Sequence, residues 1–539
     1  MTPAWLDTAV FYQIYPQSFA DSNGDGIGDL PGLIERLDDI AALGCNVLWL
    51  NPIFESPFLD AGYDVRDHFQ VASRYGSIDD VRRLCQEAHA RGMRVCLDLV
   101  AGHTSADHPG FQASARPDAN PWSDRFVWSD NPWMTRDGEV TFISGSSDRM
   151  GAYAVNFFVH QPALNFGFHE RRRSWQQAPD APGPMANRAW LKEVLGFWFE
   201  HGVDGFRVDL AATLVKQDPQ QTAVRALWRD VREWLEANWP DRVLISEWGD
   251  PARAVSGGFH VDFMLHFGTA GYPELFFNGS GFARIRSGVE QCYFDRSGAG
   301  DFRHFLNSFR LQQEAIAGRG CVGLPSANHD FQRPRVGGRD EDDLAVIFAF
   351  LLTWQAVPFV YYGDEIGMRF LEAIDSKEGA YQRVGSRTPM QWDASAGAGF
   401  SSADPETFYL PLDPAPDRPD VAAQRADPES LWHWVRKLVG LRRTLEPLAA
   451  TAPVEVLGEG AGYPLCYLRG SGSDRVLVAL NPSGRQVTCE LPSGFALEEV
   501  LAQRGVTIDG QRIALQGPAA GIFRVRSSAP DDARTEGSA

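Results

Sequence analysis

The chain has little of what marks an exported, membrane-bound or nucleic-acid-binding protein. Cysteine is scarce, with seven in 539 residues, at 45, 85, 96, 292, 321, 466 and 489. The count is odd and the spacing scattered, which fits neither a zinc knuckle nor a disulfide framework. Most lie in apolar runs, as the buried thiols of a reducing cytoplasm would. No run of about 18 apolar residues exists, so no transmembrane helix is expected. The first residues, MTPAWLDTAVFYQIYP, have neither a basic start nor a long apolar core, so no secretory signal is read there. Basic residues are outnumbered, 50 Lys and Arg against 70 Asp and Glu, for a net charge of −20. Such a surface repels phosphate backbones and anionic lipid. This argues against nucleic-acid and membrane partners and for neutral or cationic ligands.

What is present is an ordinary globular balance, 44% hydrophobic and 22% charged, with aromatics at 12%. The rings suit sugar recognition and core packing alike. The length predicts several folding units, or one large barrel with attachments. Eight apolar runs read as strands, at 10–16, 46–52, 94–100, 203–209, 242–248, 261–267, 320–326 and 358–362. Helical spacing lies between or after them, at 33–43, 78–91, 190–201, 222–237, 302–316, 344–354 and 430–443. Continuous apolar strands alternating with helices predict an α/β fold with a closed parallel barrel, (β/α)8, and its site at the strand C-terminal ends. Residues 104–187 break the rhythm and read as an inserted irregular subdomain after the third strand. Residues 369–430 are a second loop-rich excursion. The barrel is thus placed at 1–103 and 188–446. Five short alternating strands at 454–457, 463–468, 476–480, 487–491 and 521–525 predict a C-terminal antiparallel β domain over 447–527. The polar residues 528–539 read as a disordered tail.

Acids end three of the predicted strands, at Asp209, Glu247 and Asp330. A barrel would bring them to one pocket although they are remote in the chain. Cleaving a glycosidic bond needs a proton donor to the leaving oxygen and a carboxylate at the anomeric carbon. The donor must hold its proton near neutral pH, and the nucleophile must stay ionised, which a neighbouring Arg favours. Arg207 lies two residues before Asp209, so strand alternation aims both side chains the same way. Any one of these acids alone is as well explained as the cap of the following helix; three together with Arg207 and two histidines are not.

These residues sit in recognisable blocks. GFRVD (205–209), ISEW (245–248), NHD (328–330) and DLVAGHTS (98–105) resemble the signature blocks of glycoside hydrolase family 13, the α-amylase family. QPALNF (161–166) resembles the family's extra block in the inserted subdomain. AVFYQIYPQSF (9–19), DAGYDV (60–65) and RTPMQWD (387–393) look like its oligo-1,6-glucosidase and α-glucosidase branch. The resemblance implies a retaining α-glucosidase that releases terminal glucose from short oligosaccharides or other α-glucosides in the cytoplasm, or a transglucosylase or sugar isomerase using the same pocket. A catalytically inactive partner subunit is the reading from another class, and such relatives lose the three acids. By position, Asp209 resembles the nucleophile, Glu247 the general acid/base and Asp330 the transition-state stabiliser. His103 and His329 resemble donors to sugar hydroxyls, and Tyr63 the ring platform. Asp60 and Arg383 resemble an ion pair closing the pocket beyond the terminal glucose. Trp248 is either an exposed platform for an acceptor sugar or a buried ring.

A second motif, Asp21, Asn23, Asp25, Ile27 and Asp29, places oxygens at alternating positions between glycines, like the start of an EF-hand loop. The family's own loop there implies a structural Ca²⁺, with Mg²⁺ an alternative, held by those five residues with Ile27 through its carbonyl. Position 12 of the loop is Gly32 rather than Glu, and a metal-free Asp/Gly turn is the other reading. No organic cofactor and no particular oligomeric state is implied. The chain departs from the family at Gly102, where Asn is usual, at Ala163 and Ala61, and at Leu210. Leu210 follows the nucleophile and matches neither the α-1,6 nor the α-1,4 pattern.

Overall fold

The computed structural model describes residues 2–276, 291–336, 338–372, 374–375, 377–378, 383–458 and 460–527. The expected tail at 528–539 lies outside the described residues. Eight parallel strands close into a barrel: β1 (Phe11–Ile14), β2 (Val47–Leu50), β3 (Arg94–Val100), β4 (Gly205–Asp209), β5 (Val243–Ser246), β6 (Val261–Phe263), β7 (Cys321–Pro325) and β8 (Val357–Tyr361). Each pairs with its sequence neighbours, and β8 closes on β1 through Phe11↔Phe359. Nearly every residue of these strands is buried, as expected for a parallel sheet walled by helices. Gly205 shows how tight the wall is, since a Cβ there would lie 2.5 Å from Val243 Cγ2 and 2.7 Å from its carbonyl oxygen.

The outer helices form where apolar spacing and caps agree. Ser77 and Asp340 close capping boxes on Ile78–Ala90 and Glu341–Thr353. The expected helix at 33–43 is two helices, Leu30–Glu35 and Leu37–Leu43, joined at Arg36. The helix expected at 190–201 runs Pro182–Glu200, so the barrel resumes before residue 188. Its first turn, with Pro182, Gly183 and Pro184, carries no apolar periodicity and was illegible for that reason. Strand β6 stops at Phe263, four residues short of expectation, which frees His266 and Phe267 to line a cavity.

The insertion after β3 carries a three-stranded sheet (Arg136–Asp137, Val140–Ser144, Ala152–Val155) over a small core that includes Val127, Phe142 and Phe168. A backbone bridge between His103 and Ala163 ties it to the barrel. The C-terminal sheet has six strands: β9 (Val454–Val456), β10 (Leu465–Arg469), β11 (Asp474–Asn481), β12 (Val487–Glu490), β13 (Phe495–Asp509) and β14 (Arg512–Ser527). The β13–β14 hairpin is far longer than expected. Residues such as Leu497, Glu498, Glu499 and Leu501 favour helix, and three register shifts along the pairing destroy the alternation that marks a strand. All cysteines are unpaired thiols, six of them buried. Among the described residues no helix is long and apolar enough to cross a membrane.

Candidate active site

The C-terminal ends of the barrel strands open on a cavity of ≈ 350 Å³, within the range of small-molecule sites. Asp60, Tyr63, His103, Asp209, Glu247, Asp330 and Arg383 line it together with Phe157, Phe158, Leu210, His266 and Phe267. The predicted acids therefore meet. Asp209 is the last residue of β4 and Glu247 follows β5 directly, while Asp330 lies in the loop after β7.

Arg207 organises the centre. Strand alternation turns it to the same side as Asp209, and register sets it beside Asp98 of β3. Its Nη1 donates to Asp98 Oδ1 at 2.8 Å and to Asp209 Oδ1 at 3.0 Å, and its Nη2 reaches Glu247 Oε1 at 2.8 Å. One buried guanidinium thus holds both candidate catalytic carboxylates. The other oxygen of Glu247 accepts the backbone N–H of Leu210 at 3.1 Å. Leu210 adopts a left-handed conformation (φ 44), and this turn directs its N–H at Glu247. Burial and then the charge of Glu247 push the Asp209 pKa well up, and Arg207 opposes them without prevailing. Arg207 thus favours the ionised form of Asp209, as expected, against burial and the neighbouring Glu247 carboxylate.

Asp330 has the opposite environment. Burial alone would raise its pKa, but Arg383, His329, Arg387 and Arg207 pull it well below the usual range. Arg383 Nη1 donates to Asp330 Oδ1 at 2.6 Å and its Nη2 to Asp60 Oδ1 at 2.8 Å, so the expected Asp60–Arg383 pair forms. Gln161 donates to the other Asp60 oxygen at 2.7 Å, and burial, against Arg383, raises the Asp60 pKa. Arg387 bridges Asp330 Oδ1 (2.9 Å) and the buried Glu378 (2.9 Å).

Tyr63 stacks on His329, with ring centres 5.4 Å apart and planes at 8°. Its hydroxyl donates to Asp98 Oδ2 at 2.9 Å and lies 2.7 Å from His329 Nε2. Gln13 and Asn51 amide groups meet His329 Nδ1 at 3.1 Å, so Nδ1 accepts and Nε2–H points at Tyr63. His103 Nε2 donates to the Tyr63 carbonyl at 2.9 Å. Both histidines, expected as donors to sugar, thus direct their donors to Tyr63 in this structure. Burial keeps both rings neutral, with His103 lowered to about 4.

Trp248 takes the buried alternative. It is 5% exposed, donates to Gln221 Oε1 at 3.0 Å, packs on Phe259 and does not line the cavity. Its place at the mouth is taken by Phe157, 57% exposed, and by Phe158 and Phe267. Sequence reasoning missed these, as well as Gln13, Asn51, Gln161, Glu378 and Asp262. Asp262 of β6 accepts from Ser246 Oγ (2.6 Å), Trp248 N (2.9 Å) and Asp250 N (2.9 Å) and so braces the loop that carries Glu247. Asp98, which the sequence marks together with His103 beside an apolar run, lies inside β3 and bonds Arg207 and Tyr63.

The loop at 21–29 is curled by its own side chains. Asp21 Oδ1 accepts from Asn23 N and Gly24 N, and its Oδ2 from Gly26 N and Ser401 Oγ. Asn23 and Asp25 accept from Asp25 N and Ile27 N, and Asp29 caps the helix at Leu30–Glu35. The donor set is of hard oxygens, as Ca²⁺ or Mg²⁺ prefers. Among the described residues, however, no three Asp, Glu, His or Cys side chains converge as ligands.

Comparison with known proteins agrees with this geometry. The family model for the alpha amylase catalytic domain matches residues 13–450. A trehalose synthase/amylase of Mycobacterium tuberculosis is 31% identical over 523 residues, covering 89% of this chain and 82% of that protein. An oligo-1,6-glucosidase of Parageobacillus thermoglucosidasius is 29% identical over 554 residues, covering 91% and 93%. The solved trehalose-6-phosphate hydrolase of Bacillus licheniformis shares the fold, with a TM-score of 0.81 at 24% identity, over 97% of this chain and 100% of that one.

Proposed function

The chain belongs to the α-amylase family of glycoside hydrolases, and from that premise we propose that it is a retaining, exo-acting α-glucosidase on short α-glucosides. The observation that carries this reading is the single guanidinium of Arg207 bonded to both Asp209 and Glu247 in one cavity. The sugar C1 then sits between the two carboxylates. Glu247 gives its proton to the glycosidic oxygen, Asp209 bonds to C1, and the bond to the leaving sugar breaks. Water, losing a proton to Glu247, then displaces Asp209 and restores the anomeric configuration. Retention requires the two carboxyl groups to stand about 5–5.5 Å apart. Asp330, held ionised by Arg383 and Arg387, binds sugar hydroxyls, and Tyr63 gives the ring its platform. The Asp60–Arg383 pair bridges to Asp330, closing the cavity behind one terminal glucose and supporting exo action.

A second reading, transfer of the glucosyl group to another sugar hydroxyl or back to the same one, is favoured by the apolar mouth. Phe157, Phe158, Leu210 and Phe267 disfavour water there and suit the faces of a second sugar. Relatives named trehalose synthase support it as well. Maltose, isomaltose, kojibiose, nigerose, sucrose and trehalose, incubated with wild type and Asp209→Asn, separate the readings by chromatography. Free glucose as the main product supports hydrolysis, and a dominant new disaccharide supports transfer. Asp209→Asn loses at least about three decades of rate; near-wild-type turnover removes Asp209 from its role. For the loop at 21–29 we propose a structural Ca²⁺ or Mg²⁺, supported by its alternating oxygens. It is checked by a fall in melting temperature on chelation that added Ca²⁺ or Mg²⁺ reverses.

A further inference from the structure

The loop after β3 places a glycine, Gly102, next to His103, which lines the cavity. A Cβ on Gly102 would lie 2.9 Å from Asn156 Nδ2, so that space is filled from outside the loop. Asn156 follows the strand Ala152–Val155 of the inserted subdomain. Its Nδ2 meets His103 Nδ1 at 3.0 Å. Lys216, in the segment after β4, reaches Asn156 Oδ1 at 3.1 Å and the Thr213 carbonyl at 3.0 Å.

Only one assignment of hydrogens satisfies this chain. An ammonium can only donate, so the amide oxygen of Asn156 faces Lys216 and its nitrogen faces His103. His103 Nδ1 must then accept, and the ring proton sits on Nε2, where the Tyr63 carbonyl receives it at 2.9 Å. Four remote segments are joined in one direction of donation, from Lys216 through the amide and the imidazole to the backbone of Tyr63.

We propose that Asn156, oriented by Lys216, is a positioning residue that sets the tautomer of His103 and through it holds the backbone beneath the Tyr63 ring. This rests on the reading of the cavity as a glucosyl site, because Tyr63 and His103 are two of its walls. Asn156 touches no reacting atom; its effect reaches the substrate through the platform.

The discriminating variant is Asn156→Asp. Its size is unchanged and its charge is paired by Lys216, but it offers His103 Nδ1 an acceptor instead of a donor. The neutral ring can then satisfy the new carboxylate or the Tyr63 carbonyl, not both, whereas the imidazolium satisfies both. The groups facing His103 are Lys216, His160 and His68, with Glu139 acting on Lys216. We expect kcat/KM to fall by about 10–100-fold near neutral pH, the range for an orienting partner beyond the first contact. The deficit narrows as pH falls and His103 takes its second proton. A second variant, Gly102→Asn with Asn156→Ala, returns a carboxamide to the same space and recovers most of what Asn156→Ala loses. In protein labelled with ¹⁵N-histidine, assigned by loss of the His103→Gln signal, the Nδ1 resonance is of acceptor type in wild type and shifts in Asn156→Asp. An Asn156→Asp variant within twofold of wild type at every pH, or an unmoved Nδ1 resonance, overturns the proposal. The resonance needs no turnover, so absence of glucosidase activity in wild type overturns the functional reading separately.

Discussion

Replacing Arg207 by Met tests the centre of the site most directly. Arg207 is 2% exposed and its guanidinium is bonded to three carboxylates, at 2.8 Å to Asp98, 3.0 Å to Asp209 and 2.8 Å to Glu247. At an effective dielectric of about 20, each contact is worth about 4 kcal/mol gross. Most of that is offset by the cost of dehydrating the ions, and removing one partner of a buried pair costs about 3–5 kcal/mol net. Asp98, already raised to about 6 by burial, can take a proton and keep its bond with Tyr63. Asp209 and Glu247 lose their shared cation while facing each other. An opposite charge at this distance lowers a carboxyl pKa by about 1–3 units, so its loss raises that of Asp209 by as much. Asp209 must be ionised to attack. The acidic limb of kcat/KM against pH therefore moves to higher pH by about 1–3 units, and the plateau falls by about two to three decades. The assay is initial rate on the preferred disaccharide across pH, with circular dichroism to confirm folding. A folded Met variant whose acidic limb stays where wild type has it refutes the claim that Arg207 favours the ionised form of Asp209.

Other consequences follow from the same geometry. Asp262→Asn turns an N–H₂ toward at least one of the donors Ser246 Oγ, Trp248 N and Asp250 N, all held at 2.6–2.9 Å by the present carboxylate. Unfolding free energy in urea should drop by about 2–3 kcal/mol and kcat by about tenfold or more, since the loop bearing Glu247 loses its brace. Unchanged kcat in a folded variant would show that this loop is held elsewhere. His68 is buried and neutral, its pKa lowered by burial to about 3, with Nε2 bonded to the Val100 carbonyl. Its folded pKa lies below the unfolded value, so its contribution is complete above about pH 6.5 and is lost as pH falls toward 3. Compared with His68→Phe, wild type should lose about 1.4 kcal/mol of relative stability per pH unit below 6.5. A difference independent of pH between 7.5 and 5 is the result that would exclude this.

The barrel, and three of the acids in its mouth, were legible because each needs only local information. A run such as GFRVD is apolar, short and bounded, and strand alternation alone puts Arg207 and Asp209 on one side. A loss of periodicity marked an irregular stretch after β3, although the helix Pro182–Glu200 begins inside the expected range of 104–187. Local information also misled. The β13 strand carries helix-forming residues and is held only by its pairing with β14, through bulges no spacing rule anticipates. Trp248 sits beside Glu247 in the chain, yet its ring turns into the core against Phe259.

By itself the sequence determined which apolar runs become strands and that Arg207 and Asp209 share one side of theirs, because burial of a parallel sheet makes its strands continuous apolar runs and the strand period is two residues. Only the tertiary structure decided what those side chains meet. Closure of the barrel brings Asp98, Asp209 and Glu247 onto one guanidinium. Arg387 joins Asp330 to Glu378, and Asn156 enters the space left by Gly102. The charge and proton balance of a carboxylate is set by partners within a few ångströms, and those partners come from anywhere in the chain.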